Sequence, residues 1–77
     1  MTADLVVYLA RQLVDEPEAV CIEEVEEDGD VVLRLHVAEG DKGKVIGRQG
    51  RIVRALRTVV RASAGRADRR VLLEIVE

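Results

Sequence analysis

The stretch Asp41–Leu56 reads DKGKVIGRQGRIVRAL, and how it is read decides the fold. An aliphatic pair, Val45-Ile46, runs directly into a four-residue loop, Gly47-Arg48-Gln49-Gly50, and a helical pattern with an arginine-rich face follows at once. Neither glycine carries a Cβ, so a Gly-x-x-G loop between two helices lets the backbone come close to a ligand. The second helix starts at or next to Gly50, which leaves its first N–H groups without intrahelical partners. Free donors, the positive end of a helix dipole and nearby cations together make an anion site. The rest of the chain reads as a scaffold that presents this loop.

Downstream of the loop, residues 51–64 carry Ile52, Leu56, Val59 and Val60 on one side and Arg54, Arg57 and Arg61 nearly opposite, at about 100° per residue. Gly65 suits the end of that helix. Residues 66–70 form a connector, and Val71–Val76 reads as a strand with Val71, Leu73 and Ile75 on one face. Upstream, Asp41 is placed to cap a short helix over residues 42–46. Residues 30–38 give the clearest strand: Val31, Leu33, Leu35 and Val37 face one way, Val32, Arg34, His36 and Ala38 the other. Asp28-Gly29 marks a hairpin turn. The strand before it, residues 19–27, is so acidic that it belongs on a sheet edge. Residues 3–14 predict a helix with Thr2 as N-cap, its core face formed by Leu5, Leu9 and Leu13 with Val6, Tyr8 and Ala10. Pro17 stops it by about Asp15.

The order is α-β-β-α-α-β in one domain covering residues 1–77. The first two strands make an antiparallel hairpin. The last is reached through two helices, so it can lie parallel to the second by a right-handed crossover. The expected fold class is α+β, a three-stranded mixed sheet with the second strand central and three helices covering one face.

Composition limits what such a domain does. Of 77 residues, 48% are hydrophobic and 35% charged, which suits a globular chain. No apolar run is long enough to span a membrane, and the N-terminus lacks the basic and small-residue features of a signal peptide. Cys21 is the only cysteine, so an internal disulfide is excluded and the cytoplasm is the expected compartment. Tyr8 is the only aromatic residue. A sheet surface that stacks bases on aromatics is therefore excluded, and any bound base must rest on aliphatic groups.

The net charge of −3 conceals a division. Residues 42–70 hold ten of the twelve basic residues and one acid, Asp68, a net +9. Residues 1–41 hold two basic and twelve acidic residues, a net −10. A local basic face, rather than the total, is the footprint of a nucleic-acid binder. The plainer reading of Arg54, Arg57 and Arg61 is a solvated helix face, and both stay open here. The acids at 23, 24, 26 and 27 point to alternate faces without a ligand spacing, and His36 has no partner for metal or catalytic work, so no metal site is expected.

Other glycine motifs fail on spacing. Gly43-x-x-x-Gly47 is one residue short of a Walker A loop and lacks the lysine that follows it, and no G-x-G exists for a dinucleotide fingerprint. Gly-x-x-G alone is a weak signal, and its setting makes it specific. Val45-Ile46-Gly47-Arg48-Gln49-Gly50-Arg51-Ile52-Val53, with a helix on either side, resembles the K-homology (KH) signature, and the element order resembles the type II KH arrangement. The opening leucine helix, Leu13-Val14-Asp15-Glu16-Pro17-Glu18-Ala19-Val20 and GKVIGRQGRIVRALRTVVRA together resemble the small bacterial single-KH family called KhpA, over essentially the whole chain.

The resemblance implies a loop that clamps a short run of single-stranded RNA backbone. N–H groups around Gly47, Gly50 and Arg51 would meet phosphate, with Arg48, Lys44 and Arg51 adding charge and Gln49 a donor. Val45, Ile46, Ile52 and Val53 would partly line an aliphatic groove while also serving the core. The resemblance further implies a homodimer, or a heteromer with a larger KH-containing protein, acting as an RNA chaperone linked to cell-wall and cell-shape control. No cofactor, small-molecule substrate or membrane is implied. Two rival readings remain: a protein-interaction module without nucleic-acid duty, and a single-stranded DNA binder. An enzyme finds no nucleophile–base pair.

Overall fold

The computed structural model describes residues 2–65 and 70–76. Six main elements follow in order: α1 (Thr2–Leu13), β1 (Cys21–Glu27), β2 (Asp30–His36), α2 (Lys42–Ile46), α3 (Arg51–Ala64) and β3 (Val71–Ile75). Single 3₁₀ turns sit at Pro17–Ala19, Glu39–Asp41 and Arg48–Gly50. The sheet order is β1-β2-β3, with β1 antiparallel and β3 parallel to β2. The mixed α+β sheet and its central second strand are thus as the element order predicts. Most of the expected connector 66–70 lies outside the described residues.

Asp28 and Gly29 turn the β1–β2 hairpin with φ of 51° and 84°. Positive φ at both central residues is the geometry whose twist matches paired strands. The register sets Glu23 against Arg34 and Val25 against Val32, while β2 sets Val32 against Leu72 and Arg34 against Glu74. One face of the sheet therefore carries a row Val25-Val32-Leu72 beside a charged row Glu23-Arg34-Glu74. Arg34 bonds both glutamates, at 3.4 and 2.9 Å. Val32 is 8% exposed despite lying on that outer face, because its cross-strand neighbours flank it.

The opposite face carries Leu33, Leu35 and Leu73, which join Val6 and Ala10 of α1, Val45 of α2, and Leu56 and Val60 of α3 in one core. Leu33 and Leu35 are essentially fully buried, worth about 1.5–3 kcal/mol each. In α1 the period is right and Val6 and Ala10 reach the core as expected, but the face is not centred on the leucines. Val6 and Ala10 face the core, whereas Leu5 and Leu13 are each 37% exposed and Tyr8 is 60% exposed. The helix is turned by one residue, about 100°, from the leucine stripe. A small apolar pair faces inward and lets it settle closely on its neighbours. Helix α1 also begins at Thr2 itself, whose hydroxyl lies 3.0 Å from that of Ser63 on α3.

Asp41 corrects a second expectation. It occupies the cap position of α2 without a side-chain capping bond. Its carboxylate instead accepts the backbone N–H of Asp15 at 3.2 Å and of Glu16 at 3.0 Å. The chain leaving α1 needs acceptors more than the short helix does, and Asp41, 2% exposed, fastens the two segments together.

Candidate functional site

Helices α2 and α3 meet at the Gly47–Gly50 loop, and each glycine there has its own reason. Gly47 has φ 80°, ψ 168°, a region open only to glycine. A Cβ there would also lie 2.7 Å from Ile52 Cγ1 and 2.8 Å from Ile52 N. Gly50 is left-handed at φ 73°, ψ 17°, with 3.8 Å to the nearest Val53 methyl. Gln49 between them is also left-handed, at φ 58°, ψ 25°. Gly47 N–H donates to Gly43 O at 2.8 Å and Gly50 N–H to Gly47 O at 3.1 Å. Two successive left-handed residues reverse the chain sharply and start α3 without a side-chain capping bond at its N-terminus.

Arg48, Gln49 and Arg51 are exposed, and among the described residues their side chains have no ion pair or hydrogen bond. Lys44 is engaged, 3.1 Å from Asp15 Oδ2 and 3.7 Å from Asp41 Oδ1. Its ammonium is held above the ordinary lysine value by the Asp15 hydrogen bond and charge first, with partial burial opposing and Asp41 adding. Burial alone would raise Asp41. The N–H groups of Asp15 and Glu16 and the nearby Lys44 outweigh it and hold the carboxyl below its usual range.

The aliphatic residues divide. Val45 and Val53 are buried, whereas Ile46 and Ile52 are half-buried against the core. The apolar surface open beside the loop comes largely from elsewhere. A groove of about 220 Å³ runs between α3 and β3, lined by Arg54, Arg57, Val60, Arg61, Val71, Leu72 and Leu73. Sequence reading did not find this wall. Its one signal is Leu72, an apolar residue on the outward phase of β3.

The free edge of β3 faces this groove's strand side. Arg70 O accepts from Val31 N–H and Val76 N–H donates to Leu35 O, so the even-numbered residues of β3 pair with β2. Backbone direction alternates along a strand, so Val71, Leu73 and Ile75 turn theirs outward. Arg57 Nε donates to Leu73 O at 3.2 Å. Arg54 donates to Gly50 O through Nε at 3.3 Å and to Gln49 O through Nη2 at 3.0 Å. Arg54 thus belongs to both loop and groove. The basic face of α3 joins the exposed Arg48 and Arg51 into one continuous positive margin.

The family description "KhpA/KhpB, KH domain" matches residues 3–75. The chain belongs to the KhpA/KhpB KH-domain family. It is 47% identical over 73 residues to the RNA-binding protein KhpA of Clostridium perfringens, covering 95% of this chain and 97% of that one. It is likewise 47% identical over 77 residues to RNA-binding protein KhpA of Treponema pallidum, covering 100% and 96%. Identity to RNA-binding protein KhpA of Aquifex aeolicus is 46% over 74 residues, covering 96% and 94%. Among solved structures, a crystal structure of an Aquifex aeolicus Era variant bound to GDP and aluminium fluoride superposes with a TM-score of 0.62 at 22% identity. It covers 96% of this chain and 29% of that one, a likeness of fold alone. The KhpA/KhpB family is one of binding domains, not enzymes. Among the described residues no helix is long and apolar enough to cross a membrane, and no three His, Cys, Asp or Glu side chains are grouped to hold a metal.

Proposed function

We propose that this KH domain binds single-stranded RNA in the cytoplasm through the Gly47–Gly50 loop, the start of α3 and the groove between α3 and β3. One observation carries the reading: the loop that only glycine can form at Gly47 leaves the α3 N-terminus without a side-chain cap, beside the exposed cations Arg48 and Arg51, which pair with no acid among the described residues. The N–H groups of Gly47, Gly50 and Arg51, expected from the sequence to meet phosphate, instead bond Gly43 O, Gly47 O and Arg48 O, so phosphate would meet the side chains of Arg48, Gln49 and Arg51 and the remaining N–H groups at the start of α3. Lys44 would contribute as part of the surrounding field, its charge shared with Asp15. Ile46 and Ile52 would brace the loop from beneath, and Val45 through the core. Bases would rest on the half-buried Val71 and the exposed Leu72, beside the outward-facing backbone edge of β3.

Arg48-Gln49→Asp-Asp tests the reading directly. Both positions are exposed, so the fold should survive, while two carboxylates would face the phosphates. Loss of RNA binding with unchanged circular dichroism is the expected result. Binding that survives overturns it. Competition by DNA of the same sequence separates the RNA reading from a single-stranded DNA binder.

A second reading, association with other proteins, is favoured by one observation: Leu5, Tyr8 and Leu13 leave an apolar strip open on α1. A lone site holding a few phosphates binds weakly, and a second linked site gains through effective concentration. A homodimer, or a heteromer with a larger KH protein, fits that need, and the proposal extends to RNA chaperone work in cell-wall and cell-shape control. Sedimentation of the purified chain, alone and with such a partner, tests the association.

A further inference from the structure

We propose that Arg54 and Arg57 act through the backbone, as caps on carbonyl oxygens that would otherwise face the ligand. Arg54 covers the carbonyls of Gln49 and Gly50, at 3.0 and 3.3 Å, and Arg57 covers that of Leu73, at 3.2 Å. The inference rests on the RNA-binding reading above and deepens it.

The three oxygens share a setting. Gln49 and Gly50 belong to the loop itself. Leu73 turns its backbone to the free edge of β3, and Arg54, Arg57 and Leu73 all line the groove. An uncapped carbonyl there presents partial negative charge to an approaching polyanion. A guanidinium over it reverses the local sign and still keeps N–H groups to spare, since arginine carries five. At these three oxygens the site then offers donors in place of acceptors. Arginine suits this duty because its planar fork reaches two oxygens at once, as Arg54 does, whereas a lysine ammonium is a flexible point charge.

Arg61 supplies the internal comparison. It lines the same groove and is exposed, yet among the described residues its side chain bonds no carbonyl. Arg61 is free to meet a phosphate directly. The three groove-lining arginines of α3 therefore divide into two positioning residues, Arg54 and Arg57, and one direct contact, Arg61.

Salt dependence separates the two duties, because the logarithm of affinity falls with salt by about 0.7 per phosphate neutralised on a single strand. The measurement is fluorescence anisotropy of a labelled mixed-sequence RNA of about 12 nucleotides, titrated with the full chain across a potassium chloride series. Arg61→Gln should lower the salt slope by about 0.7 and Arg61→Lys should restore it. Arg54→Lys and Arg57→Lys should keep the slope and weaken binding about three- to ten-fold at every salt concentration, the scale of one lost ordinary hydrogen bond. Amide exchange without RNA is the second readout. Gln49 to Ile52 should exchange faster in Arg54→Lys and be unchanged in Arg61→Lys. Wild-type affinity in both Arg54→Lys and Arg57→Lys overturns the proposal, and so does unchanged loop exchange in Arg54→Lys. If the wild-type chain fails to bind RNA, the RNA-binding reading falls, and the exchange measurement still decides whether Arg54 holds the loop.

Discussion

Gly47 and Ile52 touch so closely that no other residue fits at position 47: a Cβ there would stand 2.7 Å from Ile52 Cγ1 and 2.8 Å from Ile52 N. At Gly50, three residues on, a Cβ would make only an ordinary 3.8 Å contact with Val53 Cγ1, in an ordinary left-handed conformation. The two glycines of the motif therefore differ in kind. Gly47→Ala should cost about 2–4 kcal/mol from backbone strain and overlap, and Gly50→Ala about 1–2 kcal/mol from left-handed strain alone. Urea denaturation of both variants checks the ranking, which equal costs would contradict.

Gln49 is the non-glycine residue that holds this loop's left-handed turn, at φ 58° and ψ 25°. Asparagine tolerates that region better because its short side chain bonds locally, and a β-branched residue tolerates it worst. Gln49→Asn should raise stability by roughly 0.5 kcal/mol and Gln49→Val should lower it by about 1 kcal/mol or more. The urea midpoints of the two variants should fall on opposite sides of the wild-type value. A valine variant as stable as wild type would mean that Gln49 is not held in this conformation.

The rotated setting of α1 predicts a contrast between side chains that a hydrophobicity count treats alike. Tyr8, 60% exposed, contributes little to the core, so Tyr8→Ala should change stability by no more than about 0.5 kcal/mol. Leu35, at 0% exposed, should cost about 2–5 kcal/mol when cut to alanine. Thermal melts resolve the two, since 1 kcal/mol moves Tm by about 4–8 °C in a domain of this size.

These contrasts mark what was legible in the chain. The bounds of α2 and α3 and the loop between them could be read residue by residue, because glycines and a clean helical period are local signals. The central place of β2 followed from its near-continuous apolar alternation and the crossover rule. The phase of α1 did not follow, because Leu5, Leu9 and Leu13 share a period with Val6 and Ala10, and only the fit against α3 and the sheet selects the smaller pair. Asp41 misled for a related reason. Its partners Asp15 and Glu16 lie 26 and 25 residues away, and a local rule assigned it to the adjacent helix. The α3–β3 groove was hidden because the crossover alone brings Val71, Leu72 and Leu73 beside Val60 and the arginines.

Asp41 also sets how stability responds to acid. Its carboxyl titrates below the usual 3.8, since the N–H groups of Asp15 and Glu16 and the charge of Lys44 outweigh the burial that would raise it. A depressed carboxyl stabilises the fold fully above its unfolded value, and that contribution drains away as pH falls from about 3.8 through the lower folded value. Lys44 behaves oppositely. Its raised value keeps its contribution intact below 10.5 and loses it only as pH climbs beyond. Across neutral pH the junction of α1 and α2 should therefore be insensitive to pH. Asp41→Asn keeps one oxygen for two N–H donors and has no charge for Lys44. Its Tm should lie below wild type at pH 7, and the gap should narrow as pH drops below about 3.8, where the wild-type carboxylate is itself protonated. Melts of both proteins from pH 2.5 to 7 measure this, and a gap that stays constant through the acid range would remove Asp41 from the account.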